Sequence, residues 1–76
     1  MELPRDRVDA SGIGIRIRRL RQENQLKQIE LSMRIGVDRT SLSSYENGKR
    51  LPDITILCRI ADVFGVTLDA LVGRVQ

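Results

Sequence analysis

The stretch "GVDRTSLSSYENGKR", Gly36–Arg50, decides how this chain is read. Three serines, a threonine and an asparagine crowd it, and Val37, Leu42 and Tyr45 are its only apolar residues. Composition alone suggests a loop. Spacing suggests otherwise: Asp38 is suited to cap a helix over about Arg39 to Asn47, because its carboxylate can accept from the free amides of a first turn. At about 100° per residue, Leu42 and Tyr45 share one side of that helix. Thr40, Ser44 and Asn47 fall roughly opposite, with Ser43 beside them. The pattern predicts a short helix with a narrow apolar anchor and a wide polar face. Gly48 ends it, and Lys49 and Arg50 follow directly.

Upstream, a second helix is expected from about Gln28 to Ile35. Leu26 and Leu31 have the spacing of a hydrophobic staple, and Glu30 occupies the acidic position of a capping box. Leu31 and Ile35 form its buried stripe, with the small Ser32 beside them. Lys27 is a poor cap, since it has no acceptor oxygen and sets a charge against the positive helix end. Gly36 suits a left-handed residue that stops this helix and turns the chain. Ahead of it, Ile13, Ile17 and Leu20 recur at i, i+4 and i+7, the stripe of a first helix capped by Ser11 and starting near Gly12. Arg16, Arg18, Arg19 and Ile15 lie off that stripe. Residues 1–10 show no period and are expected to form a flexible arm.

Downstream, Asp53 caps a fourth helix that Gly65 stops. Ile54, Ile56, Leu57, Cys58, Ile60, Ala61, Val63 and Phe64 make it apolar almost all round, as for a central element or one that partly covers an interface. Thr67 caps a last short helix through Leu68, Leu71 and Val72. No segment has strand periodicity. The expectation is an all-α, five-helix domain over residues 11–73, with a short tail at 74–76.

Seventy-six residues suffice for one domain, which buries only about 60% of the surface its unfolded chain exposes. With no histidine and a single cysteine, there is no Cys/His metal set and no serine–histidine or cysteine–histidine pair. The acids are scattered and mostly at helix ends, so neither an enzyme nor a cofactor or metal site is expected. Apolar stretches are too short to span a bilayer, and Met1–Ala10 carries no apolar signal segment. A soluble, cytoplasmic protein with no membrane partner is the expectation. Charge is distributed unevenly: residues 16–50 hold nine Lys/Arg against four Asp/Glu, a net of +5, whereas 1–15 and 51–76 each hold two bases and three acids, a net of −1. A localised basic region is the footprint of a polyanion partner, although a solvated basic face has the same composition.

Two short helices joined by a glycine turn, the second polar outside and preceded by basic residues, match a helix-turn-helix. From about Ile13 to Val72 the chain resembles the phage-repressor-like (XRE, Cro/CI-type) DNA-binding family. The resemblance rests on "IRIRRLRQENQL", "QIELSMRIGV", "RTSLSSYENGKRLP" and "LCRIADVFGVTLDALV" in that order. It implies a bacterial or phage-encoded transcriptional regulator, a repressor by expectation, that inserts its third helix into the major groove of double-stranded DNA. It also implies residue roles. Arg21 and Glu46 match a pair that ties the first helix to the end of the third, an architectural role. Arg39, Thr40, Ser43 and Ser44 occupy positions that reach base edges, and the Arg39 guanidinium can donate twice to guanine O6 and N7. Lys27, Gln28, Asn47, Lys49 and Arg50 occupy positions that meet phosphates, Gln28 at a helix N-terminus suited to an anion. Lys27 departs from the family's serine or threonine, which loses a cap and sets an ammonium where a phosphate would lie.

A single such module touches few base pairs, so a symmetric homodimer reaching half-sites about 34 Å apart is expected. Ile56, Val63, Leu68 and Val72 are candidates for its interface. The competing reading is a protein-interaction adaptor, such as an antitoxin, on the same scaffold. Ile15 and Ile29 favour it, since both stand where polar residues are more usual.

Overall fold

Five helices appear in a computed structural model that describes residues 8–74. They are α1 (Ala10–Glu23), α2 (Gln28–Ile35), α3 (Arg39–Glu46), α4 (Ile54–Phe64) and α5 (Leu68–Val72), with no strand among the described residues. Most of the expected arm, residues 1–7, and the tail residues 75 and 76 lie outside the described part.

Local chemistry accounts for nearly every boundary. Asp38 accepts from the Ser41 amide, Asp53 from Ile56 and Thr67 from Ala70, each three residues into its helix. These bonds satisfy amides that the first turn leaves without a partner. Gly36 ends α2 with φ 74°, a left-handed geometry that side chains with a Cβ resist. Lys27 makes no capping bond with its side chain, but Glu30 reaches back to accept from the Lys27 amide at 2.8 Å. One half of the capping box is therefore present.

The first helix begins earlier than the sequence reading places it. Asp9, not Ser11, is the cap: its carboxylate accepts from the Gly12 amide at 2.7 Å, and Ser11 lies inside the first turn. Asp9 and Ser11 are both capping residue types, and the apolar stripe starts only at Ile13, so periodicity could not separate them.

One core joins all five helices. Ile13 and Ile17 of α1, Leu31 and Ile35 of α2, Leu42 and Tyr45 of α3, Ile56, Leu57, Ile60 and Ala61 of α4, and Leu71 of α5 pack together. In it, α1 packs on α3 and α5, while α2 packs on α3 and α4. At the α1–α3 crossing, Gly14 lets two backbones meet. A Cβ there would stand 2.7 Å from the Glu46 carbonyl oxygen and closer still to that of Tyr45. No other residue permits that approach without moving α3.

Ile56 does not belong to a surface. It lies one turn before Ile60 on the core stripe and is 8% exposed, which leaves it little to offer a second copy. The exposed isoleucine of α4 is Ile54, at 63%. Val63, Leu68 and Val72 are half-buried against the core.

Candidate nucleic-acid interface

The site is built on a buried carboxylate. Glu46 ends α3 with a side chain that has no solvent exposure. Arg21 of α1 donates to it twice, from Nε to Oε2 at 2.7 Å and from Nη2 to Oε1 at 3.0 Å. This fork geometry is the strongest form of ion pairing available to side chains. The remaining donor of Arg21 that makes a bond, Nη1, reaches the Leu26 carbonyl at 2.9 Å in the turn before α2. Gln28, the first residue of α2, donates from Nε2 to Glu46 Oε1 at 3.1 Å. One carboxylate therefore gathers α1, the turn before α2, the start of α2 and the end of α3. Arg21 and Glu46 come together as the sequence reading expects.

On this base, α3 presents two rows of polar side chains. Arg39, Ser43 and Asn47 follow each other at four-residue spacing, which brings them onto one face. Arg39 is exposed, and its Nη1 lies 3.4 Å from Gln28 Oε1. Asn47 donates from Nδ2 to Ser43 Oγ at 3.3 Å. Thr40 and Ser44 form the second row, Thr40 exposed and Ser44 half-buried. Leu42 and Tyr45 anchor the opposite side in the core.

Charge surrounds these rows. Lys27 stands exposed at the N-terminal end of α2, where unpaired amides and the helix dipole already favour an anion. Past α3 the chain turns through Gly48, and the Lys49 amide bonds back to the Ser44 carbonyl at 2.9 Å. Lys49 and Arg50 are both exposed. Arg50 folds back with its guanidinium 5.5 Å above the Tyr45 ring and Nη1 3.5 Å from Ser41 Oγ.

Two residues sit differently from expectation. Gln28 is half-buried and its amide is engaged on both sides, by Glu46 and Arg39. Arg18, which the sequence leaves as one of several solvated positive charges, is positioned. Its Nη2 donates to Asn47 Oδ1 at 2.6 Å and its Nε lies 3.5 Å from Glu46 Oε1. Arg18 lies one turn beyond Gly14 on the same side of α1, and that spacing is the only trace of its role in the sequence. Arg34 and Arg19 remain exposed.

Asp38, which caps α3, has its carboxyl held below the usual value of 3.8, chiefly by the Ser41 hydroxyl and secondarily by nearby amides. Among the described residues no helix is long and apolar enough to cross a membrane. No group of three or more His, Cys, Asp or Glu among them is placed to hold a metal ion.

Comparison with known proteins agrees with this geometry. A helix-turn-helix family model matches residues 17–71, most of the chain. The ImmF control region 10 kDa protein of Bacillus phage phi105 is 39% identical over 64 residues, which span 84% of this chain and 71% of that protein. The restriction-modification controller protein C.AhdI from Aeromonas hydrophila superposes with a TM-score of 0.76 at 26% identity, over 82% of this chain and 94% of that one. The P22 c2 repressor, solved in complex with a synthetic operator, superposes with a TM-score of 0.75 at 25% identity, over 79% and 91% of the two chains. Six further curated relatives are longer, and the chain spans 39–49% of their length. With its five helices, its helix-turn-helix in α2 and α3 and this match along most of its length, the chain belongs to the phage-repressor-like helix-turn-helix family of DNA-binding regulators.

Proposed function

We propose that this chain binds double-stranded DNA as a sequence-specific transcriptional regulator, a repressor, and that it does so as a symmetric homodimer. The observation that carries the reading is the outer face of α3. Arg39, Thr40, Ser43 and Ser44 stand on a helix held from behind by Leu42, Tyr45 and the buried Glu46. Such a face fits a major groove, where side chains reach base edges while the scaffold holds register. Arg39 reads a guanine, while Lys27, Lys49 and Arg50 neutralise phosphates on either side. Gln28 contributes through its backbone amide at the α2 terminus, because its side chain is engaged within the protein. Asn47 contributes the second hydrogen of its amide. The dimer forms through α5 and the end of α4, where Val63, Leu68 and Val72 leave apolar surface half-covered. A protein of this kind works in the cytoplasm of a bacterium, on bacterial or phage DNA.

Binding to random duplex as a function of salt tests this directly. Three cations per protomer, six per dimer, give a log–log slope of about −5. A slope near zero, or no binding at low salt, refutes the reading. Sizing on and off DNA tests the dimer, and a chain that stays monomeric at high concentration and on an operator removes it.

One observation favours a second reading. Ile29 and Met33 stand one turn apart on α2 and are 48% and 74% exposed, and Ile15 on α1 is 55% exposed. Apolar surface of this kind suits a protein partner. The antitoxin PezA of Streptococcus pneumoniae is 36% identical over 62 residues, although this chain spans only 39% of it. An adaptor of that kind keeps its partner when Arg39 and Lys49 are removed, and loses it with Ile29→Asp.

A further inference from the structure

Arg18 lies 29 positions from Asn47 in the chain, yet it donates to the Asn47 side chain at 2.6 Å. The consequence falls on Ser43. A carboxamide has an accepting end and a donating end. Once a guanidinium occupies the oxygen, the amide cannot flip without setting N–H against N–H. Its Nδ2 therefore points to Ser43, where it donates to Oγ at 3.3 Å. Arg18 is itself held at its other edge by Glu46, the carboxylate without solvent exposure. A directed relay results, from buried carboxylate to guanidinium to amide to hydroxyl.

A free serine hydroxyl rotates and donates or accepts with little preference. Here one lone pair of Ser43 Oγ is taken, and its hydrogen has no acceptor among the described residues. The hydrogen turns away from the amide, and polarisation along the relay strengthens it as a donor. Thr40 and Ser44 have no such partner among the described residues. Their hydroxyls stay ambivalent.

We infer that Arg18 and Asn47 are positioning residues that make Ser43 a donor toward the base edge, so that its position in the operator selects a base presenting an acceptor. Guanine N7 and O6, adenine N7 and thymine O4 meet that demand, whereas cytosine presents only the N4 donor in the major groove. The inference rests on α3 being the DNA-reading helix.

The test begins with an operator selected from random duplex by the wild-type chain. Affinities are then measured for every single-base variant of it, with wild type, Ser43→Ala, Arg18→Ala and Asn47→Asp. Melting by circular dichroism establishes that each variant is folded at the assay temperature. Ser43→Ala flattens the preference at one symmetric pair of positions and so locates the base that Ser43 reads. Arg18→Ala lowers the preference for guanine, adenine or thymine over cytosine at that pair by about fivefold, the worth of one hydrogen bond, and leaves other positions ranked as before. Asn47→Asp reverses it: a carboxylate accepts both from Arg18 and from the Ser43 hydroxyl, which turns Ser43 into an acceptor and shifts the preference toward cytosine, the base that presents only a donor.

The inference is overturned if Arg18→Ala and Asn47→Asp weaken all variants by one common factor. A salt slope reduced by about one with base ranking unchanged overturns it too, by making Arg18 a phosphate contact. So does a Ser43→Ala profile identical to wild type at every position. If no operator emerges from selection at all, the regulator reading has failed as well, and the two failures are told apart.

Discussion

Replacing Glu46 perturbs the group on which the whole reading face is mounted. Glu46→Ala leaves Arg21 facing an empty space with a side chain only 14% exposed. Removing one partner of a buried pair costs about 3–5 kcal/mol, most of it the penalty of the stranded charge. The lower end applies here, because Arg21 keeps its bond to the Leu26 carbonyl and has some access to water. A loss of about 3 kcal/mol is a large share of the stability of so small a domain. At about 4–8 °C per kcal/mol for this size, the melting temperature falls by roughly 12–24 °C. Glu46→Gln keeps an acceptor for one of the two Arg21 donors but sets its NH2 against the other, a loss of about 1–2 kcal/mol. Thermal and urea melts followed by circular dichroism and by the fluorescence of Tyr45, the only tyrosine, measure both variants. Glu46→Leu combined with Arg21→Met removes both charges and recovers at least half of the loss. Equal midpoints for Glu46→Ala and Glu46→Gln, or a double variant no better than Glu46→Ala, would refute the reasoning.

Gly14→Ala sets a methyl against two carbonyl oxygens of α3 and destabilises the domain by about 1–3 kcal/mol. Gly12→Ala meets only the flexible Arg16 side chain and the Asp9 carboxylate and is neutral or stabilising by up to about 1 kcal/mol; thermal melts of the two distinguish a close approach from mere helix propensity. Asp38→Asn concerns acid stability. Because the folded carboxyl titrates below 3.8, its contribution is present above that pH and is lost as pH falls through the folded value. The variant therefore has a shallower acid limb in a stability–pH profile, and superimposable limbs would count against the Ser41 contact. Lys27→Ser supplies the missing cap and stabilises by about 1 kcal/mol. The same variant lowers the salt slope of DNA binding by about one per protomer, unless the ammonium never meets a phosphate.

Much of the fold is legible because its signals are local. Asp38, Asp53 and Thr67 announce helix starts, Gly36 and Gly65 announce ends, and Ile13, Ile17, Leu31, Ile35 and Leu42 sit on stripes that periodicity exposes. Local signals fail where two of them coincide, as with Asp9 and Ser11. They also fail for α4, where an almost uniformly apolar helix hides that Ile56 faces inward and Ile54 outward. The site divides the same way. The polar face of α3 follows from a helical wheel, and the Arg21–Glu46 pair from the family resemblance. The engagement of Gln28 and Arg18 depends on where α1 and α2 meet the end of α3, a distance set by Gly14. No pattern within one helix encodes that meeting.

The central claim is that α3 reads bases through Arg39. Binding-site selection from random duplex, run in parallel on wild type and Arg39→Ala, tests it most directly. The wild-type chain should enrich a symmetric operator with a guanine in each half-site, and Arg39→Ala should lose the preference at that one pair while keeping the rest. Uniform weakening at every position would make Arg39 a phosphate contact, and an unchanged operator would contradict the claim outright.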